Sequence, residues 1–137
     1  MTTLAAAKPR VFQIAEFVDI PAVASDIIYE GAAVGDSSGT ARPLVAGDAF
    51  LGFCDRTADN SAGAAGAVNV RCRQRGKIVL SVTGISSTDD IGTAVYASDD
   101  DTFTTTVGSN TAIGKVDSWV TGTTCIVYFE ALAVRSI

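Results

Sequence analysis

Apolar and charged residues alternate along residues 69–82, near the middle of the chain. Successive side chains of an extended strand point to opposite faces, so this alternation gives one apolar face and one basic face. The apolar positions are Val70, Cys72, Ile78, Leu80 and Val82, and the basic positions, which we call the basic stripe, are Arg71, Arg73, Arg75 and Lys77. A helix would spread the cations around its circumference. The pattern therefore predicts one long strand with a single buried face.

Short apolar or alternating runs recur along the rest of the chain, and turn residues separate them. Residues 11–18 fit a strand or a short helix, and we favour the strand. Pro43 cannot donate a backbone hydrogen bond, so its run predicts an edge strand or one that begins at the proline. The strands predicted outside residues 69–82 occupy residues 11–18, 26–34, 40–45, 49–54, 94–97, 102–106, 112–120 and 123–132. About nine short strands predict an all-β fold, either a jelly-roll-like sandwich or a small barrel.

Three segments interrupt this pattern. Pro9 prevents any helix that starts before it from continuing, so residues 1–10 are expected to form an extended N-terminal arm. Residues 58–66 are small and lack periodicity, which predicts a loop able to lie flat against another surface. Residues 87–90 could cap one short turn.

A chain of 137 residues and 14.0 kDa has the usual size of one domain, and we interpret residues 11–137 as a single β domain.

The charge balance limits the classes of partner. The formal net charge is −5, and the sequence pI is about 4.5. General affinity for nucleic acids comes from cations that neutralise phosphates, so we expect no nucleic-acid partner. No apolar run approaches the roughly 20 residues that cross a bilayer, and the N-terminus lacks the layout of a signal peptide. We therefore expect synthesis in the cytoplasm and no membrane partner.

Catalytic chemistry has few candidate residues. The chain has no histidine, so Ser-His-Asp and Cys-His arrangements are excluded. Gly76 and Lys77 resemble the end of a phosphate-binding loop, but Arg71 stands where its first glycine should be and Ile78 replaces its Ser or Thr. We predict a protein that is not an enzyme and that needs no cofactor.

The cysteines Cys54, Cys72 and Cys125 are widely spaced, and each lies in an apolar run. They lack the C-x-x-C spacing of structural zinc sites. We favour buried free thiols in a reducing compartment over a disulfide or a metal site.

A carboxylate cluster, Asp99, Asp100 and Asp101, lies near Asp89 and Asp90. Close carboxylates could hold calcium or act as a paired acid and base. The glycine and bidentate glutamate of an EF-hand loop do not follow at the required offsets. We therefore favour a solvated hairpin turn.

The basic stripe allows two interpretations. Four like charges at every second residue would repel one another unless carboxylates on neighbouring strands or solvent compensate for them. Arginine guanidinium groups also bind carboxylates of a partner protein in a bidentate manner. Phosphate binding ranks third because no aromatic residues interleave with the cations.

Several segments, taken in order, resemble the capsid cement, or decoration, proteins of tailed bacteriophages. They are residues 29–35, 41–53, 59–66, 70–76 and 90–104, and the similarity covers roughly residues 26–130. The resemblance implies a jelly-roll-like β domain on the outer surface of a phage head that clamps neighbouring major capsid subunits together.

The resemblance also implies the partners, which are the major capsid protein and further copies of this chain, as a dimer or trimer on the capsid of the virion. Our candidates for capsid contacts are Lys8, Arg10, Asn60, Arg71, Arg73, Arg75 and Lys77. Two other functions stay open: a trimeric β-fold nucleotide hydrolase, for which no phosphate site is found, and a tail or receptor-contacting module, which should expose aromatic residues at loop tips.

Overall fold

The computed structural model describes residues 6–7 and 16–131, which form twelve β-strands and one 3₁₀ turn at Thr88–Asp90. The strands are β1 (Phe17–Pro21), β2 (Asp26–Ile28), β3 (Ala33–Ser37), β4 (Thr40–Pro43), β5 (Phe50–Cys54), β6 (Ala58–Asn60), β7 (Asn69–Arg73), β8 (Arg75–Thr83), β9 (Ala94–Ala97), β10 (Phe103–Thr104), β11 (Thr111–Thr121) and β12 (Thr124–Glu130). The prediction of an all-β sandwich or small barrel is confirmed.

Two β units contain most of these strands. The first is an open antiparallel sheet with the order β1-β7-β5-β3-β4, and the second is a closed barrel with the order β10-β8-β12-β11-β9. Within the barrel, only β10 and β8 are parallel. A parallel bridge between Ala22 and Ala41 brings the end of β1 to β4, so the open sheet curls almost into a second barrel.

Each unit encloses a cluster of buried apolar side chains. The cluster of the open sheet contains Val34, Leu51, Cys54, Val70 and Cys72, and Ile28 of the separate β2–β6 pair covers it. The cluster of the barrel contains Val82, Val95, Ile113, Val127 and Phe129. Burial of such side chains from water is the main force that holds both units folded.

Strand β5 connects the two clusters. Phe50 and Phe53 lie in the barrel cluster, whereas Leu51 and Cys54 lie in the cluster of the open sheet. Strict alternation would put Phe50 and Phe53 on opposite faces, but the β3–β5 register is irregular here, and Gly52 adopts a φ of +123°. Such a bulge re-aims the following side chain. The Phe53 ring consequently lies edge to face against Phe129, with ring centroids 4.8 Å apart.

The long strand predicted over residues 69–82 is wrong in one respect, because two strands in different units occupy this segment. At Gln74 the backbone N–H donates to the Glu16 carbonyl and the backbone carbonyl accepts from the Ala131 N–H. These bonds separate β7, in the open sheet, from β8, in the barrel. The predicted alternation of faces is confirmed along both strands, although Ile78 and Leu80 are only half-buried.

The predicted number of about nine strands was too low. Residues 26–34 are divided between β2 and β3, with Gly31 in the left-handed region at a φ of +88° between them. Residues 58–66, predicted as a loop, begin with the short strand β6. Segments that looked continuous in sequence are thus interrupted where the chain changes sheets.

Two local predictions are confirmed. Strand β4, which contains Pro43, is an outer strand of the open sheet. Ser87 caps the 3₁₀ turn, since its hydroxyl accepts from the Asp89 N–H, and the Asp90 carboxylate accepts from the backbone N–H groups of Ser86 and Ser87. These hydrogen bonds lower the pKa of Asp90.

Candidate contact surface

The basic stripe crosses from one β unit to the other. Arg71 and Arg73 extend from β7 in the open sheet, and Arg75 and Lys77 extend from β8 in the barrel. Arg73 and Lys77 line the same groove, so the two halves of the stripe meet at one surface. We call Arg71 and Arg73 the arginine pair, because the two guanidinium groups share their neighbours.

An aromatic ring and a carboxylate hold the arginine pair. The guanidinium carbons of Arg71 and Arg73 lie 4.2 and 4.8 Å from the centroid of the Phe17 ring. The β1–β7 register, which pairs Phe17 with Arg73, explains this placement. Asp55 lies 3.7 Å from Arg71 Nε and 3.3 Å from Arg73 Nη2. A ring face and a shared carboxylate restrict both long side chains before any partner arrives.

The local charge of this cluster is positive, because three arginines face two carboxylates: Arg56 Nε also lies 4.0 Å from Asp55 Oδ2, and Asp19 lies opposite Arg71 in the β1–β7 register. The Arg73 Nη2 group donates to Asp55 Oδ1 at 3.3 Å. The Arg71 Nε atom is buried and has no hydrogen-bond partner. About half of the Arg73 side chain is exposed, at 49%, so most of its N–H groups can donate to another molecule. A carboxylate of another molecule would fit this geometry best.

Of the two remaining cations, Lys77 has an ion-pair partner within the barrel. Lys77 Nζ lies 3.3 Å from Asp117 Oδ2, and its side chain is 62% exposed. Arg75 is exposed and lies opposite Glu130 in the β8–β12 register. Ion pairs with carboxylates of the same chain are therefore observed for Arg71, Arg73 and Lys77. Exposed pairs of this kind are individually weak and readily exchange partners.

A groove of about 240 Å³ begins beside the arginine pair. Arg73, Lys77 and Asp55 contribute to its lining together with the aromatic residues Phe53 and Phe129. Glu30 and Gly31 border this groove and also a second depression, of about 490 Å³, that contains Tyr29, Asp100 and Asp101. The surface thus passes from cations at one end to carboxylates at the other.

The carboxylate end is formed by the hairpin between β9 and β10. Asp99 accepts from the Asp101 N–H at 2.9 Å and from the Thr102 hydroxyl at 3.1 Å, which is the bonding of a tight turn. Burial, followed by repulsion from Asp99 and Asp101, raises the pKa of Asp100. Among residues 6–7 and 16–131, no group of three or more Cys, Asp or Glu side chains is placed to hold a metal ion.

Asn60 was wrongly chosen as a surface contact. Its side chain is 2% exposed, and its Nδ2 group donates to the carbonyls of Val23 and Ala64, each at 2.9 Å. It therefore holds the turn that follows β6 and presents no side chain to a partner. Two further candidates, Lys8 and Arg10, lie outside the described residues.

Sequence reasoning missed Phe17 and Asp55 as members of this surface. Phe17 was assigned to an ambiguous run, and Asp55 directly follows the apolar β5. Only the register of β7 with both β1 and β5 brings them to the arginines, and no local pattern encodes that register.

Tyr29 was expected within a strand, but it lies in the segment between β2 and β3 and is 62% exposed. Tyr96, Trp119 and Tyr128 do lie in strands, as expected. Tyr128 is nevertheless 42% exposed, on the outside of the barrel.

The prediction of buried free cysteines is confirmed for all three residues. Burial raises the pKa of each thiol, for Cys72 to about 12. Within the described ranges, no helix has the length and apolar character to cross a membrane.

Comparisons with known proteins found no matching family model, curated protein or solved structure.

Proposed function

We propose that this chain is a capsid cement protein, which binds the outer surface of a phage head and clamps neighbouring major capsid subunits together. The observation that carries the proposal is the arginine pair, an incompletely neutralised cationic site beside a groove that both β units line. The segments that resemble decoration proteins, residues 29–35 and 70–76 among them, include residues of this surface.

The arginine pair favours a protein partner with exposed carboxylates. The Phe17 ring and Asp55 keep the guanidinium groups in place, so little side-chain entropy is lost when a partner carboxylate binds. The net charge of −5 restricts positive surface to local patches, and the resulting contact is specific rather than a general attraction to polyanions.

Weak individual contacts are sufficient for a cement protein. A capsid repeats the same docking site, and further copies of this chain, as a dimer or trimer, would bind several sites at once. Simultaneous binding raises the overall affinity far above that of one contact. Phe53 of the open sheet packs against Phe129 of the barrel, and this contact joins the two units that a clamp between capsid subunits would use.

Co-sedimentation with heads tests this function. Heads are assembled from the major capsid protein of the same virus without the present chain, and purified protein is added in increasing amounts. We expect saturable binding at a fixed ratio of copies to capsid subunits. Occupied heads should also withstand heat, or treatment with a chelating agent, better than heads without the protein. Absence of saturable binding to both immature and expanded heads would contradict the proposal.

Variants of the arginine pair test the contact site separately. Arg73→Gln is expected to weaken binding to heads at least tenfold, because the lost charge is repeated at every occupied site. Lys115→Gln is the matched control, since Lys115 is an exposed cation on β11 outside the basic stripe. If wild type binds and Arg73→Gln binds equally well, the function stands and the contact site is wrong.

A further inference from the structure

Two of the three cysteines lie directly opposite each other on neighbouring strands. The β5–β7 register pairs Cys54 with Cys72, and both residues belong to the buried cluster of the open sheet. Cys125 lies in the separate barrel cluster. All three are free thiols in this structure.

The type of pairing places Cys54 and Cys72 at the distance of a disulfide. The next pair along the ladder is hydrogen-bonded, because the Asp55 N–H donates to the Arg71 carbonyl at 2.8 Å. Hydrogen-bonded and non-hydrogen-bonded pairs alternate in antiparallel sheets, so Cys54 and Cys72 form a non-hydrogen-bonded pair, with Cα atoms about 4.5 Å apart. Disulfides span Cα separations of about 4.4 to 6.8 Å. Side-chain rotation alone can then join the sulfur atoms.

We infer that Cys54 and Cys72 form a cross-strand disulfide when the folded chain meets a low-molecular-weight disulfide such as oxidised glutathione. The Cys54 thiolate attacks one glutathione sulfur, forms a mixed disulfide and releases the first glutathione thiolate. The Cys72 thiolate then attacks the Cys54 sulfur and releases the second. Two protein thiols are oxidised, oxidised glutathione is reduced to two thiols, and these take up the two protons.

Burial makes this conversion slow. The Cys54 thiol donates to the Arg56 carbonyl, with Sγ 3.0 Å from the oxygen, and neither cysteine is more than 3% exposed. Since the thiolate is the reacting species and burial disfavours it, exchange proceeds through local opening of the β5–β7 pair. Cys72 lies opposite Cys54 on the neighbouring strand, so it can attack the mixed disulfide while the pair is still open, and the ladder closes once the second glutathione has left.

The disulfide would fix the register of β5 and β7 next to the arginine pair. Asp55 follows Cys54, and Arg71 and Arg73 flank Cys72, so the bond lies directly under the contact between these charges. The inference goes beyond the proposed function and does not depend on it, because it requires no partner.

Thiol mapping of the full-length chain tests the inference. The folded protein is incubated with oxidised glutathione, acid-quenched, unfolded and alkylated, and its peptides are analysed by mass spectrometry. We expect a linked Cys54–Cys72 peptide pair and an alkylated Cys125. The guanidinium midpoint of the oxidised protein should rise by about 0.5 to 1 M and should return to its initial value with dithiothreitol.

The variants Cys125→Ala and Cys54→Ala complete the test. Cys125→Ala should keep both the link and the midpoint shift, and Cys54→Ala should lose both. If a variant does not fold, the peptide map of the wild-type chain decides alone. The inference is overturned by three free thiols after incubation just below the unfolding transition, by a link to Cys125, or by a glutathione adduct that never resolves.

Discussion

At Gly52, the backbones of β5 and β7 approach so closely that a side chain has no room. A Cβ atom there would overlap the Arg73 carbonyl oxygen and lie 2.9 Å from its carbon. The φ of +123° is also one that L-residues with side chains rarely adopt. This one glycine therefore permits the bulge that directs Phe53 into the barrel cluster.

We expect Gly52→Ala to lower the free energy of unfolding by about 3 kcal/mol or more, as the sum of backbone strain and overpacking. Gly39→Ala is the control, because Gly39 also has a positive φ, +92°, but a methyl group added to it would meet no atom within 4 Å. It should lose only about 1 kcal/mol. Guanidinium unfolding of the two variants measures the difference, and equal losses would show that the close approach to β7 is unimportant.

At the level of single residues, part of the candidate contact surface could be predicted from the sequence. The alternation of Arg71, Arg73, Arg75 and Lys77 with apolar residues identified an exposed basic strip from sequence alone. The selection of Asn60 failed because a polar residue in a small-residue loop looks exposed, whereas its side chain is buried and its amide donates to the Val23 and Ala64 carbonyls. Burial of a polar side chain depends on what surrounds it, and sequence does not report that.

Among the elements, the turn after β6 depends most on one side chain. Asn60→Ala removes both hydrogen bonds to the Val23 and Ala64 carbonyls and leaves these acceptors without that donor. We expect a loss of about 2 kcal/mol in the free energy of unfolding. The exposed neighbour gives the control, since Ser61→Ala should cost less than about 1 kcal/mol. Urea titration of both variants provides the measurement, and a neutral Asn60→Ala would refute the proposed role.

Element boundaries were harder to predict than element type. Both halves of residues 69–82 keep the same alternation, so period 2 gives no signal at the change of sheet. The break arises because the backbone of Gln74 bonds to Glu16 and Ala131, which are distant in sequence. By contrast, the cap at Ser87 was predictable because all its partners lie within four residues.

For the molecule as a whole, Asp48 ties the two units together. Its carboxylate accepts from Arg42 at 2.7 and 3.0 Å and from the Val45 N–H at 3.0 Å, and its backbone carbonyl accepts from the Thr111 hydroxyl of β11. Burial opposes ionisation, but the hydrogen bonds from Arg42 and Val45 outweigh it and lower the pKa of Asp48. At pH values above 3.8, the ordinary pKa of an aspartate, the ionised carboxylate therefore stabilises the fold. This stabilisation is lost as the pH falls through the lower pKa that Asp48 has in the folded protein.

We expect Asp48→Asn to reduce the free energy of unfolding by about 2 kcal/mol at pH 7 and to weaken the dependence of stability on pH below about 4.

Asp100→Asn should change the free energy of unfolding in the opposite direction. Burial and its acidic neighbours raise the pKa of Asp100, so its ionised form destabilises the fold and its removal should increase stability at pH 7. Denaturation curves from pH 2 to pH 7 test both, and parallel behaviour of the two variants would contradict the assignment.

The contact of Phe50 and Phe53 with Phe129 also determines the order in which the chain can fold during translation. Once β7 has left the ribosome, the strands of the open sheet are all available, but both rings still lack the barrel that covers them. They stay exposed until β12 is synthesised. A nascent chain that stalls before β12 is synthesised exposes the apolar rings of Phe50 and Phe53 to solvent, and incomplete chains of this kind are prone to aggregate.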